Sequence, residues 1–410
     1  MNILVVSQYF YPENLRINSL CTELAARGHK VDVLTGYPQY PQGRIYDGYG
    51  FKIPYEKNWN GVTVHRVKTY PRGRTPLGLL NNCVSFVYSG ERWVKKCRTK
   101  YDAVYFFGIS PLTSALPAIS YGKKFDVPVY VNIQDLWPDN VEHVLGVHNR
   151  IILGVLNIMM DKIYAGSRKL LCSSESFVRR LSERGVAAEK LAYWPQFCEE
   201  PDFERLEKPE CFADDFNIVF AGNIGEAQGL DLLVDAAEVM KNERVRWYLV
   251  GDGRAAMRLR KRVEEAGLCE KVIFVGKKTE HEANCYVRYA DCAYLSFADN
   301  PIFDMTIPAK LQTYLACGVP ILAAAGGESA RLVQSNHCGV IAERNADSVC
   351  AAVRALMECD SGELRQNSRR CYEENFTKKQ LVDMLEGIMC SETKYAVCKK
   401  IRDISVDLIL

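Results

Sequence analysis

The 410-residue sequence has no strong charge of either sign, since 52 lysines and arginines stand against 50 aspartates and glutamates for a formal net charge of +2. So even a balance gives no global basic field, and nucleic acid is not expected as a partner. No run of 18 apolar residues could span a bilayer. The N-terminus, Met1-Asn-Ile-Leu-Val-Val-Ser, lacks the basic region of a secretory signal and opens at once on a strand pattern. Histidine is scarce, and none of His29, His65, His143, His148, His281 and His337 stands at metal spacing. The sixteen cysteines form no C-x-x-C pair and have no histidine at zinc spacing. They read as small core residues in a reducing compartment. These absences predict a cytosolic protein without a bound metal. Low-complexity tracts and short-period repeats are missing as well.

What is present is the composition of a globular chain, 48% hydrophobic and 25% charged. At about 150 residues per domain, the length predicts more than one core, and we take two. Short β-branched and aromatic runs at 3–7, 31–35, 62–67, 103–107, 128–133, 169–173 and 191–194 alternate with helical patterns. One such helix, 15–27, gathers Ile17, Leu20, Leu24 and Ala25 on one face and stops at Gly28. Apolar runs this continuous belong to parallel sheets covered on both faces, so the fold class is α/β, doubly wound. Between 196 and 215 the pattern becomes polar, acidic and proline-broken, and then the alternation restarts. The expected organisation is two Rossmann-like domains, 1–196 and 216–390, joined by a linker at 197–215. A tail at 391–410 would pack back on the first domain, and a cleft would lie between the halves.

Two corners in the second half suit a phosphate. In Thr306-Ile-Pro-Ala-Lys-Leu-Gln-Thr-Tyr-Leu-Ala-Cys-Gly-Val-Pro, a helix starts just after an apolar strand, Pro308 fits its first turn and Lys310 stands beside its free N–H groups. The plainer alternative is a solvated lysine at a helix start. In Asn217-Ile-Val-Phe-Ala-Gly-Asn-Ile-Gly-Glu-Ala-Gln-Gly-Leu-Asp231, Gly222, Gly225 and Gly229 let the backbone approach a ligand without Cβ atoms in the way. Their spacing is not the G-x-G-x-x-G of a dinucleotide site.

Taken in order, Gly-Asn-Ile-Gly-x-x-Gln-Gly-Leu-Asp, Gly251-Asp-Gly253, Phe274-Val-Gly276 and Pro308-Ala-Lys-Leu-Gln-x-Tyr-Leu-Ala-Cys-Gly-x-Pro resemble glycosyltransferase family 4. The N-terminal pieces Tyr11-Pro-Glu-Asn-Leu-Arg-Ile-Asn18, Arg27-Gly-His29 and Leu34-Thr-Gly-Tyr-Pro-Gln-Tyr-Pro-Gln-Gly43 look like the branch with bacterial N-acetylfucosaminyltransferases of surface-polysaccharide synthesis. The resemblance implies the GT-B fold, with a nucleotide-sugar held mainly by the second domain. It also implies a retaining, metal-independent transfer to a lipid-linked saccharide, with no cofactor beyond the nucleotide-sugar substrate; the expected donor is UDP-linked, with a deoxy-amino sugar as one candidate. The sequence departs from many family members in having Met305 and Thr313 where two glutamates stand, Asn223 and Gln228 in place of Arg and Lys, and Leu15 and Arg16 in place of a glycine pair.

Breaking a sugar–diphosphate bond develops negative charge on the leaving phosphate, and a metal-free enzyme must meet it with its own cations. Lys310 is the first choice, and Arg16 is a second cation for the phosphates or the acceptor. Asp135, in Asn132-Ile-Gln-Asp-Leu-Trp-Pro-Asp-Asn140, follows a strand end where it would take the acceptor hydroxyl's proton or orient the sugar. The plainer alternative makes it a helix cap, a role for which Asp139 is better placed. Asn223, Gly225, Gln228, Gly229, Gly251, Gly276, Thr306, Lys310 and Thr313 are the expected donor-binding residues. Glu328 would either cap a helix or touch the donor.

From Tyr70 to Lys100, Arg72, Arg74, Arg92, Lys95, Lys96, Arg98 and Lys100 alternate with Leu77, Leu79, Leu80, Val84, Phe86, Val87, Tyr88 and Trp93. This stretch reads either as a face docking on an anionic membrane surface or as a packed helix with a wet basic side. A nucleotide-sugar epimerase on the same fold and a non-catalytic nucleotide-sugar-binding module remain the competing functions.

Overall fold

The computed structural model describes residues 1–51, 57–73, 75–109, 111–212 and 214–391. Arg74 and the tail 392–410 lie outside them. The described chain divides into two compact units: Met1–Ser173, Phe177–Trp194 and the described residues from Val382 on form the first, and Ser174–Ser176 with Pro195–Leu381 the second.

In the order of the chain, the elements up to residue 194 are β1 (Asn2–Val6), α1 (Arg16–Ala26), β2 (Lys30–Thr35), β3 (Asn58–Trp59), β4 (Val62–Arg66), α2 (Pro76–Lys96), β5 (Ala103–Phe106), α3 (Leu116–Phe125), β6 (Val129–Ile133), α4 (Asp139–His143), α5 (Arg150–Gly166), β7 (Lys169–Cys172), α6 (Glu175–Glu183) and β8 (Leu191–Tyr193). The strands form one sheet in the order β3-β4-β2-β1-β5-β6-β7-β8. All neighbours are parallel except β3, a two-residue antiparallel edge that the sequence pattern did not announce. β1, β5 and β6 are buried almost throughout, as helices on both faces require. The chain reverses direction across the sheet between β1 and β5, so the loops after these strands line the crevice where doubly wound sheets bind ligands.

The second unit contributes β9 (Phe216–Ala221), α7 (Asp231–Val239), β10 (Val245–Val250), α8 (Ala256–Glu265), β11 (Val272–Gly276), α9 (Glu280–Tyr289), β12 (Cys292–Ser296), α10 (Pro301–Asp304), α11 (Ala309–Cys317), β13 (Ile321–Ala324), α12 (Gly327–Ser335), β14 (Gly339–Ile341), α13 (Ala346–Glu358) and α14 (Ser361–Asn375). Its sheet is wholly parallel, ordered β11-β10-β9-β12-β13-β14, with the switch between β9 and β12. Two apolar clusters pack on it, one around Trp247, Leu249 and Leu233 and one around Tyr248, Leu295 and Leu311. Neighbouring strand residues such as Trp247 and Tyr248 thus fall in different clusters, and each side chain of this kind stabilises the fold by roughly 1.5–3 kcal/mol on burial.

Two expected boundaries change. The stretch 197–215 is not a free linker: Phe197, Cys198, Leu206 and Phe212 are buried, and Cys198 bridges to Thr377. Its apolar residues are widely spaced among acids and prolines, and this hid their packing. The second domain also does not extend to residue 390. The helix 378–391 sends Val382, Leu385 and Met389 fully into the core, and Arg27 pairs with Glu386 at 2.7 Å and with Asp383, while His29 meets Glu386 at 2.6 Å. Among the described residues, no helix is long and apolar enough to cross a membrane.

Candidate active site

The corner after β9 is built by backbone crowding. A Cβ at Gly251 would sit 1.9 Å from the Gly222 carbonyl oxygen, and one at Gly253 would sit 2.2 Å from that of Ile224, so neither place admits a side chain. Gly222 N donates to Val250 O and Ile224 N to Asp252 O, each at 2.9 Å, zipping the two strand ends together. Gly276, at the end of β11, extends the series by accepting from Gly251 N at 2.9 Å. Gly229, with a φ of 59°, ends a single turn at 226–228 and starts the approach to α7. Asn223 is exposed at the rim, and Gly225 packs so closely on its amide that a Cβ would fall 2.6 Å from Nδ2.

Lys310 is the second residue of α11, a helix whose first turn has no side-chain cap. Its stem passes beside Gly222, where a Cβ would lie 3.7 Å from Nζ, and its ammonium sits 4.1 Å from the centroid of the Phe220 ring and hydrogen-bonds Gln228 Oε1. The residue as a whole is half-buried, but the nitrogen is enclosed, and burial draws its pKa down to about 7. Ser296, ending β12, donates to Gln228 O at 2.6 Å and fixes that turn from the other side of the switch. Tyr314, one turn further along α11, accepts from Ala221 N at 2.9 Å. Asn223, Gly225, Gln228, Gly229, Gly251 and Lys310 therefore meet at one corner, with Gly276 supporting it from behind.

The two threonine hydroxyls bond locally. Thr306 donates to Ile302 O at 2.8 Å, and Thr313 donates to Ala309 O at 3.3 Å with the Cys198 thiol 3.7 Å away, so both hydroxyls serve the helix turns they belong to. Glu328 is buried in the first turn of α12 without capping it; one oxygen accepts from Ser176 N at 2.7 Å and from the Ser176 hydroxyl, with Arg331 at 3.4 Å.

In the first unit, Arg16 opens α1 and is half-buried. Asp135 follows β6 and accepts from Asn140 Nδ2 at 3.0 Å. Asp139 is not a cap: Pro138 holds the N-cap position of α4, and the Asp139 carboxylate takes Arg180 at 2.7 Å instead, a partner 41 residues on that sequence spacing does not reveal. A residue passed over in the sequence is Glu13. It is 1% exposed, and its carboxylate accepts from Phe10 N at 2.9 Å and from Gln39 N and Tyr40 N at 2.7 Å each, tying the loop after β1 to the loop after β2. Burial raises its pKa to about 7 against those three N–H donors. Its only sequence signal is a lone acid between Pro12 and Asn14.

Two doubly wound units, with a cationic glycine corner at the switch point of the second, are the architecture of the GT-B glycosyltransferases. HepE of Anabaena, solved in complex with UDP, aligns over 95% of this chain and 100% of its own with a TM-score of 0.69 at 14% identity. Sucrose-phosphate synthase from Thermosynechococcus elongatus aligns over 97% and 100% with a TM-score of 0.72 at 16% identity. More particularly, residues 14–196 match the model of the Glycosyl transferase 4-like domain and residues 215–359 that of Glycosyl transferases group 1, and the chain is a glycosyltransferase belonging to this pair of families. WcaI of Escherichia coli K12, which carries the name of a colanic acid biosynthesis glycosyl transferase, is 27% identical over 341 residues, 78% of this chain and 82% of WcaI.

Proposed function

We propose that the enzyme moves a sugar from a UDP-linked donor to a lipid-linked saccharide in the synthesis of a surface polysaccharide, with retention of configuration and without a metal. The observation carrying this reading is the Lys310 corner, where an enclosed amine, an uncapped helix start and a glycine backbone converge on one point. A diphosphate seated there meets the ammonium and the N–H groups, and both grow stronger partners as the C1–O bond breaks and charge collects on the leaving phosphate. The acceptor hydroxyl forms the new bond to C1 and gives up its proton, for which Asp135 is the base, while Arg16 adds a cation from the first unit. UDP in HepE and the colanic acid name of WcaI support the donor base and the pathway class. A deoxy-amino sugar and the N-acetylfucosaminyl branch rest on the N-terminal motifs alone.

A peripheral place on the inner face of the cell membrane is supported by α2. Its Phe86 and Val94 are buried, but Leu77, Leu80, Val84 and Tyr88 are 56–65% exposed on the other side, and Lys95 and Lys96 follow in its last turn.

The test is a panel of nucleotide-sugars, beginning with UDP-linked deoxy-amino sugars, screened for thermal shift and then for radiolabel transfer to a lipid-linked saccharide, with and without a chelator. The reading expects stabilisation by a UDP-sugar and transfer that the chelator leaves intact, with the anomeric configuration kept in the product by NMR. Isomerisation of the donor, binding without turnover or loss of activity to the chelator would each overturn its part.

A further inference from the structure

The carboxyl edge of the first sheet holds a second cation that the donor corner does not use. Arg72, in the loop after β4, is half-buried with its guanidinium 5.4 Å from the Tyr40 ring centroid, and among the described residues it has no carboxylate partner. Tyr40, in the loop after β2, keeps 39% of its surface open, and its ring lies 5.6 Å from that of the buried Tyr9 in the loop after β1. Three loops from adjacent strand ends therefore present one partly open aromatic ring with one positive charge over it.

This pair is held from beneath. Glu13 takes the backbone N–H of both Gln39 and Tyr40, the Gln39 side chain accepts from Arg72 N, and Tyr9 is fixed by its hydroxyl on Asn82 Oδ1 at 3.0 Å. Asn82 also accepts from Gln8 Nε2 at 2.6 Å, and Gln8 in turn accepts from Ser114 after β5. The network spans the switch point between β1 and β5 and buries almost all of its members, leaving only the Tyr40 ring and Arg72 outward. An aromatic face suits the C–H face of a sugar ring, and a guanidinium beside it suits the paired oxygens of a phosphate ester.

We propose that Tyr40 and Arg72 form an acceptor subsite for a saccharide joined to a diphosphate ester, the sugar ring stacking on Tyr40 and the diphosphate meeting Arg72, with Glu13 as the positioning residue. It rests on the glycosyl-transfer reading above and names the chemistry by which that acceptor is recognised.

The full chain, saturated with UDP to occupy the donor corner, is titrated calorimetrically with farnesyl-diphospho-N-acetylglucosamine and with free N-acetylglucosamine. Wild type should bind the ester more tightly than the sugar. Arg72→Gln should weaken the ester at least tenfold and leave the free sugar unchanged, Arg72→Lys should restore part of the loss, and Tyr40→Ala should weaken both probes. Glu13→Gln should also weaken both probes, while UDP affinity stays at the wild-type value in every variant. Wild type that fails to prefer the ester, or Arg72→Gln within twofold of wild type on it, overturns the subsite. Failure of wild type to bind UDP strikes the donor assignment instead, and the two probes are then compared without it.

Discussion

At the scale of single residues, Lys310 and Glu13 are one base and one acid that burial brings to about pH 7 from opposite sides. For Lys310 the free enzyme above pH 7 holds mostly neutral amine, whereas a bound diphosphate favours the ammonium. UDP binding at pH 8 should therefore take up a proton, read from calorimetry in buffers of differing ionisation enthalpy, and affinity should fall as pH rises through about 7. Lys310→Ala should abolish the proton uptake and lower turnover about a hundredfold; unchanged turnover would leave Lys310 only the structural role of holding Gln228. Glu13 behaves differently. Its folded pKa is about 7 against 4.5 for a glutamate free in water, so the folded chain keeps a proton that the unfolded chain has lost. The stability this adds is complete below about pH 4.5 and disappears as pH rises through about 7. Glu13→Gln should remove that slope from denaturation curves, and should cost roughly 1–3 kcal/mol at neutral pH because its amide nitrogen would face the Phe10 N–H. The lysine was legible in the sequence since it stands in the first turn of a helix whose N-cap is Pro308, after an apolar strand. Glu13 was not, because its three partners are backbone atoms and carry no letter.

At the scale of elements, the strands stood out because burial on both faces leaves an unbroken apolar run, as in the fully buried β6. The edge strand β3 escaped notice because two residues hold no period. Helix α2 is the element whose surface makes the strongest demand. Its exposed apolar residues run from Leu77 to Tyr88 and its basic ones from Arg92 to Lys96, and α5, packed against the same α3, shows Ile151, Val155 and Ile158 at 78%, 54% and 71% exposure. Each cation near an anionic bilayer contributes about 1 kcal/mol, so several together decide between bound and free. Changing Arg92, Lys95 and Lys96 together to glutamate should release the protein from phosphatidylglycerol vesicles and slow transfer to a lipid acceptor, while transfer to a soluble analogue continues. Equal sedimentation of wild type and the triple variant with those vesicles would remove the membrane role of α2.

At the scale of the whole molecule, the sequence showed two α/β halves but drew the end of the second at 390 and so gave 382–390 to the wrong one, since the 3.6-residue period of 378–391 reports an apolar face and not the core that receives it. Val382, Leu385 and Met389 are fully buried, at roughly 1.5–3 kcal/mol each. A chain ending at Leu381 should therefore lose several kcal/mol from its first unit, seen as an earlier melting transition, while a fragment of 195–381 keeps its own core; an unshifted transition would show that the helix contributes little. The same helix also sets a timetable. Arg27 and His29 leave the ribosome 356 to 359 residues ahead of their partners Asp383 and Glu386. Domains usually fold as they emerge. Here the first-made unit must wait, incomplete, through the synthesis of the whole second one, with the place of the closing helix open to chaperones and to other nascent chains until residues 382–389 have emerged.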